Sequence, residues 1–271
     1  MATNDVRTLF ERPRTVTDLD ACRFYHTLEL PTSGLQLGYW DLRPGLDRYL
    51  SALDYEGRTV LDIGPASGGL TFELERRGAD VIAFDVKDGS ALDLVPFHGF
   101  DEAALRASAR ELIESIKNSF WLAHRELGSS ARVVYGHANA LPDTIGPVDV
   151  AFLGNILQHL RDPLGAVAGA AGLARTIVVT EALWFTGGAE EGPALLWLPA
   201  LHEGAPAADR AWSWWQVNAE TLAGWLEMLG FRVTQRYTHE QLLTATGHLI
   251  EHYTIVASRP EATSSDPHPI A

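Results

Sequence analysis

RTVLDIGPASGGLTFELERRGADVIAFD, residues 58–85, is the stretch on which the reading of this chain turns. Residues 59–63 are a short apolar run, and a loop with Gly64, Gly68 and Gly69 follows. Leu70, Leu74 and Arg77 then fall at helical spacing, and 80–84 is a second apolar run. The order is strand, glycine turn, helix, strand. Glycine lets the backbone come close to a ligand, and a carboxylate after the second strand, Asp85, can accept from two ribose hydroxyls. The bland readings are a helix N-cap or solvated turn residue for Asp85 and a plain tight turn for the glycines.

Length and charge narrow the classes. A chain of 271 residues holds one large α/β domain or two small ones, and one is the simpler reading. Its net charge is −14, from 35 acids and 21 bases, and only Lys87 and Lys117 are lysines. That balance repels a phosphate backbone, so nucleic acid is a disfavoured partner. Cys22 is the single cysteine, which excludes an internal disulfide and a thiolate metal cluster. The first residues, MATNDVRTLFERPR, lack the apolar core of a signal peptide, and no run approaches the roughly 20 apolar residues of a membrane span. A soluble cytoplasmic protein is expected, with no membrane partner; the sequence is silent on oligomeric state.

Taken in order, residues 1–23 read as an arm, 24–259 as one domain and 260–271 as a disordered tail. The segment 24–41 mixes aromatics with His26, and Tyr25, His26, Tyr39 and Trp40 are candidate pocket residues or cover for a sheet edge. Pro44 suits the start of a helix reaching Leu53. Residues 101–127 show a helical apolar face, with Asp101 as N-cap and Gly128 as stop. Further strands are expected at 131–135, 148–153, 175–180, 231–237 and 252–258. Helices are expected from Pro163 and from the Asn218 cap to Leu229. In such sheets the site lies beyond the carboxyl ends of the strands, so Gly154, Asn155, His159 and Glu181 should border one crevice.

The loop resembles the Rossmann dinucleotide turn in its physics, but Asp62, Gly64 and Gly68 form D-x-G-x-x-x-G and not the G-x-G-x-x-G of a pyrophosphate site. A nicotinamide oxidoreductase is therefore disfavoured. The motif resembles motif I of class I methyltransferases that use S-adenosylmethionine (SAM). GNILQHLRDP, 154–163, is similar to that family's motif IV and its sequel, through Leu157, His159, Leu160, Asp162 and Pro163. The resemblance covers about 24–259. It implies a Rossmann-like, seven-stranded doubly wound α/β sheet of order 3-2-1-4-5-7-6, with an N-terminal cap and an aromatic-rich insertion after strand five. It also implies cofactor contacts from Asp62, Gly64, Pro65, Ala66, Gly68, Asp85 and Val86, from Gly154 and Asn155, and from Tyr25 and Trp40 of the cap. GHANALP, 136–142, stands where many members read G-D-A-x-x-L-P; His137 replaces the acid that contacts adenine, leaving Ala138 and Asn139 as further contacts.

Within that family the wording is similar to the group containing tRNA wobble-uridine carboxymethyl transferases and to natural-product methyltransferases. Gln158 stands where the carboxymethyl enzymes carry a tyrosine, and Glu251 precedes the last strand; with the acidic charge, this favours ordinary SAM and a small acceptor. The wall for that acceptor is expected in 182–216, where Trp184, Trp197, Trp212, Trp214 and Trp215 accompany Phe185, either as a substrate wall or as a satellite core. Candidate bases are His159, Glu181, His202 and His26, in that order, and His159 equally suits a brace of its loop. No metal-ligand spacing stands out, so no metal is expected. The alternatives are a tRNA-modifying enzyme and a non-catalytic SAM-binding protein.

Overall fold

A parallel strand covered by helices on both faces can be apolar along its whole length, and several runs of this chain are. The computed structural model describes residues 9–94, 98, 101–185, 192–199 and 212–260. The chain begins with a hairpin of β1 (Leu28–Leu30) and β2 (Gly34–Gln36), then β3 (Trp40–Asp41) and a single turn, α1 (Leu46–Tyr49). Next come β4 (Thr59–Ile63), α2 (Gly69–Arg76), β5 (Asp80–Asp85), α3 (Glu102–Glu126), β6 (Arg132–Tyr135) and β7 (Val148–Gly154). The remainder is α4 (Pro163–Leu173), β8 (Ala174–Ala182), β9 (Leu195–Trp197), β10 (Trp215–Val217), α5 (Ala219–Met228), β11 (Arg232–Leu243) and β12 (His248–Ser258).

The main sheet runs β3-β11-β12-β8-β7-β4-β5-β6. Its β4–β8 part is parallel, and β12, β11 and β3 add antiparallel. Counted from the glycine-loop strand this is the expected 3-2-1-4-5-7-6, plus one. The eighth strand is β3, paired through Leu242 with Asp41 and Leu243 with Trp40. Two residues are too few to leave an alternating pattern in the sequence.

Alternate residues of each strand feed opposite faces. Leu61, Ile63, Ile82 and Phe84 pack with Val167 and Ala170 of α4 and Leu222 and Leu226 of α5. Val60, Val81, Val150 and Phe152 pack instead on Leu70 and Leu74 of α2 and on Tyr49. Each such fully buried side chain is worth about 1.5–3 kcal/mol of transfer free energy. The small residues of α4 allow close approach to the sheet. Three of the helices, α3, α4 and α5, begin on side-chain caps: Asp101 accepts from Ala104 N–H, Asp162 from Gly165 N–H and Asn218 from Thr221 N–H. α3 ends at Gly128, whose φ of 64° lets Ser129 N–H reach the His124 carbonyl.

Several boundaries differ from the sequence reading. The helix expected over 44–53 is a 3-10 turn, Arg43–Gly45, followed by the single turn α1. β8 continues through Glu181 to Ala182, because β12 pairs it there, Tyr253 with Glu181 and His252 with Ala182. β11 and β12 are longer than expected and join at a tight turn with Gly247 at φ 71°. The 182–216 stretch holds a small ladder, in which Trp215 faces Trp197. Near the N-terminus, Glu11 N–H donates to the Val133 carbonyl, fastening that segment beside β6. No helix among the described residues is long and apolar enough to cross a membrane.

Candidate functional site

The carboxyl ends of β4, β5, β7 and β8 open into a cavity of about 1240 Å³. At its β4–β5 side, Gly64 takes φ 82° and Ala66 φ 49°, bending the loop back toward Asp85, whose carboxylate accepts from Val86 N–H at 2.7 Å and is faced by Ala66 N–H. Burial pushes the Asp85 pKa up to about 6, against those bonds and the nearby Lys117 ammonium. Asp62 is more deeply enclosed. Its Oδ2 accepts from Thr71 at 2.6 Å and its Oδ1 has no partner among the described residues, and burial pushes its pKa up to about 7.

The cap before β4 is fastened to the glycine loop itself. Buried Ser67 Oγ accepts from Tyr25 N–H at 3.1 Å and His26 N–H at 2.8 Å. His26 Nδ1 accepts in turn from Gly69 N–H at 3.3 Å. This leaves the ring proton on Nε2, so a neutral His26 is a donor and not a ready base; burial lowers its pKa to about 4. Tyr39 stacks on Tyr25 at 5.8 Å, and Trp40 returns the chain by donating its N–H to the Tyr25 carbonyl.

The β7 loop is set by two buried acceptors. Asn155, at φ 55°, takes the Ala182 N–H on its Oδ1 at 3.0 Å. Glu181, 4% exposed, accepts from Leu157 N–H at 2.8 Å, and burial pushes its pKa up to about 8. Further along, Gln158 Oε1 accepts from the Trp184 indole, which leans on Trp40 at 5.8 Å. His159 Nδ1 donates to the Trp212 carbonyl, holding that segment over the cavity. Asp93, in the segment after β5, accepts from Arg161 N–H, lies 3.4 Å from His137 Nε2, and offers its carbonyl to the Trp214 indole.

Comparison with known proteins decides what this cavity belongs to. Residues 40–236 match the family model of a methyltransferase domain. The chain is a class I SAM-dependent methyltransferase. No curated protein sequence matches it significantly. Among solved structures it is similar to a SAM-dependent methyltransferase from Methanosarcina mazei, at 20% identity over 81% of this chain and 98% of that one, with a TM-score of 0.50. It is also similar to the N-terminal domain of EvdMO1, seen with S-adenosylhomocysteine (SAH) and D-fucose, at 14% identity over 89% and 93% of the chains, with a TM-score of 0.51. Magnesium protoporphyrin IX methyltransferase from Synechocystis, seen with SAM, aligns at 14% identity over 81% and 78%, with a TM-score of 0.48.

In this methyltransferase the residues assigned to the cofactor divide. Tyr25, Trp40, Gly64, Ala66, Asp85 and Val86 line the cavity, as do His137, Ala138, Gly154 and Asn155. Asp62, Pro65, Gly68 and Asn139 do not. Gly68 caps α2 at φ 89°, and a Cβ there would meet the Phe72 ring at 2.3 Å, so packing by itself requires glycine at this position. Asn139 Nδ2 is spent on the Asp162 carbonyl. Among the candidate bases, His159 and His26 line the cavity; Glu181 does not, because it lies within β8 and braces the β7 loop, and His202 lies outside the described residues. Of the tryptophans, Trp184 and Trp212 line the cavity, joined by Phe185. Trp197, Trp214 and Trp215 do not: Trp197 is half exposed, Trp214 is buried, and the Trp215 indole donates to the Arg161 carbonyl.

The cavity also holds residues the sequence reading passed over: Tyr49, Asp93, Lys117 and His252. A histidine opening the buried run of β12 was the available signal. The donor chemistry fits SAM. Asp85, at the end of β5, presents a carboxylate on the cavity wall, an acceptor of the kind that suits vicinal ribose hydroxyls.

Proposed function

We propose that this methyltransferase acts on a small, partly apolar or aromatic molecule of secondary metabolism. In this reading SAM lies along the β4 and β5 ends. Asp85 accepts from its ribose, Gly64 and Ala66 pass its amino-acid part, and His137 and Ala138 face its adenine. Asp93, beside His137, supplies the carboxylate that position 137 lacks. The acceptor lies under Trp40, Trp184 and Phe185, beyond Gly154 and Asn155. SAM supplies an electrophilic methyl on a positively charged sulfur. The chain's part is to exclude water and to hold the acceptor in line, and alignment alone is worth about 7–11 kcal/mol of barrier in the best model reactions. Residues 24–259 are read as one catalytic unit.

The observation that carries the proposal is the cavity. At about 1240 Å³ it exceeds the roughly 300–1,000 Å³ of ordinary ligand pockets, leaving room for two molecules, and its far wall is aromatic. The −14 charge with two lysines supports a small acceptor over tRNA, which needs many counterion-releasing contacts. The test is transfer of labelled methyl from SAM to a lysate split into bulk tRNA and small molecules. Label in the small-molecule fraction is expected; salt-sensitive label in tRNA with none in small molecules would overturn the proposal.

A further inference from the structure

The far arm of the cavity contains one imidazole whose hydrogen bonding is half complete. His252 stands in β12, opposite Ala182 of β8, and is 1% exposed. Its Nδ1 lies 2.9 Å from the Ile250 carbonyl. A carbonyl can only accept, so Nδ1 carries the proton and Nε2 is left as a bare acceptor. No described residue donates to Nε2, while the residue itself lines the cavity. Burial lowers its pKa to about 4, which keeps the ring neutral and the lone pair in place.

The neighbouring histidine shows the contrast. His239 stacks on His252 at 5.7 Å, and Gln241 Nε2 donates to its Nδ1 at 2.8 Å. Its Nε2 is 2.9 Å from Thr254 Oγ1. Thr254 and Thr180 hydroxyls are joined at 2.7 Å, and Thr180 Oγ1 donates to the Tyr49 carbonyl. Thr180 thus accepts from Thr254, and Thr254 from His239 Nε2–H. Every polar atom of His239 is therefore satisfied inside the protein. The same cluster leaves His252 Nε2 open to the cavity.

Aromatic rings pack around this imidazole. Trp40 meets the His252 ring edge-on at 5.3 Å, Tyr49 tilts against it at 5.9 Å, and Trp184 lies against Trp40. A Cβ at Gly154 would come 3.3 Å from the Tyr49 ring, so this arm adjoins the β7 end where the reaction is placed. Thr244, which lines the same cavity, has a buried Oγ1 without a partner among the described residues. An aromatic slot with an open acceptor matches a flat molecule bearing a hydroxyl.

We propose that His252 is the acceptor-recognition residue: its Nε2 receives the hydrogen of a hydroxyl on a planar aromatic or enolic substrate, whose ring lies among Trp40, Tyr49 and Trp184. The inference rests on the small-molecule reading above and names the substrate class for it. Methyl ethers and arenes without the hydroxyl leave Nε2 unpaired and are discriminated against.

The test uses 2-naphthol and 2-methoxynaphthalene as probes, titrated by fluorescence into the full chain with and without saturating SAH. The wild type is expected to prefer the naphthol on the order of fivefold or more, one neutral hydrogen bond in a dry site. His252→Phe, which keeps the ring and removes the acceptor, is expected to abolish that preference without altering SAH affinity. Long-range ¹H–¹⁵N spectra of histidine-labelled wild-type protein give an independent reading: naphthol should shift the His252 Nε2 resonance and the ether should not. Equal affinities, absence of naphthol binding, a preference retained in His252→Phe, or an unmoved Nε2 resonance would overturn the assignment. The SAH titration reads the cofactor site separately, and the naphthol preference decides the His252 assignment whichever way SAH behaves.

Discussion

Ser67→Ala tests whether the N-terminal cap is latched to the cofactor loop as the structure shows. Ser67 is fully buried and its Oγ accepts two N–H groups, from Tyr25 at 3.1 Å and His26 at 2.8 Å. Alanine removes the acceptor and leaves two enclosed donors unpaired, at about 1–3 kcal/mol each. The low end, about 2 kcal/mol in total, is roughly a 30-fold increase in local opening. Native-state hydrogen exchange over 23–41 is the direct assay. Tyr25 and His26 amides should exchange about 30-fold faster, with a smaller effect at the β4 and β5 amides. Because Tyr25 and Trp40 line the cavity, SAH should restore part of the lost protection. Unchanged exchange at both amides, with an unchanged urea midpoint, would refute the latch.

Two more substitutions separate structural from binding roles. Glu181→Gln replaces an acceptor facing backbone N–H groups with an amide that is half donor, so urea unfolding should show a loss of about 1–3 kcal/mol; full stability with lost turnover would instead favour a catalytic Glu181. Gly68→Ala should destabilise much more than Gly64→Ala. At 68 the new Cβ meets the packed Phe72 and Phe120 rings, whereas at 64 it meets the end of the Ile156 side chain, so thermal melts showing equal effects would count against this reasoning.

The strands were legible because each buried one is a contiguous apolar run, and three helices carry their own caps, at Asp101, Asp162 and Asn218; the strand order came from the motif I resemblance. Local signals also located Asp85 and Gly64. What local signals could not supply was direction. Glu181 reads as a strand-end carboxylate until the β12 pairing extends β8 past it and turns its oxygens toward the β7 loop. Gly68 reads as a ligand-facing glycine until Phe72, one turn on, fills the space its Cβ would need. The tryptophans of 182–216 share one composition, yet the β9–β10 ladder and the bonds to Asp93 and Arg161 take Trp197, Trp214 and Trp215 off the cavity wall. His252 was hidden for the opposite reason. Its partners Trp40, Tyr49 and His239 come from three distant parts of the chain, and only the folded sheet edge brings them together.

The central claim is that the cavity holds SAM with Asp85 on the ribose, and calorimetric titration of SAH into the wild type and Asp85→Ala at pH 7.5 and pH 5 tests it most directly. At pH 7.5 the substitution should weaken binding tenfold or more, at least about 1.4 kcal/mol for hydrogen bonds to a charged group. Ribose hydroxyls favour the ionised carboxylate, and in the free protein burial holds the Asp85 pKa at about 6. Binding must therefore expel a proton below pH 6. Wild-type affinity should fall between the two pH values, with proton release on binding, and the Asp85 contribution to that fall should vanish in the alanine variant. A folded Asp85→Ala protein with wild-type affinity at pH 7.5 and the same pH dependence would contradict the account.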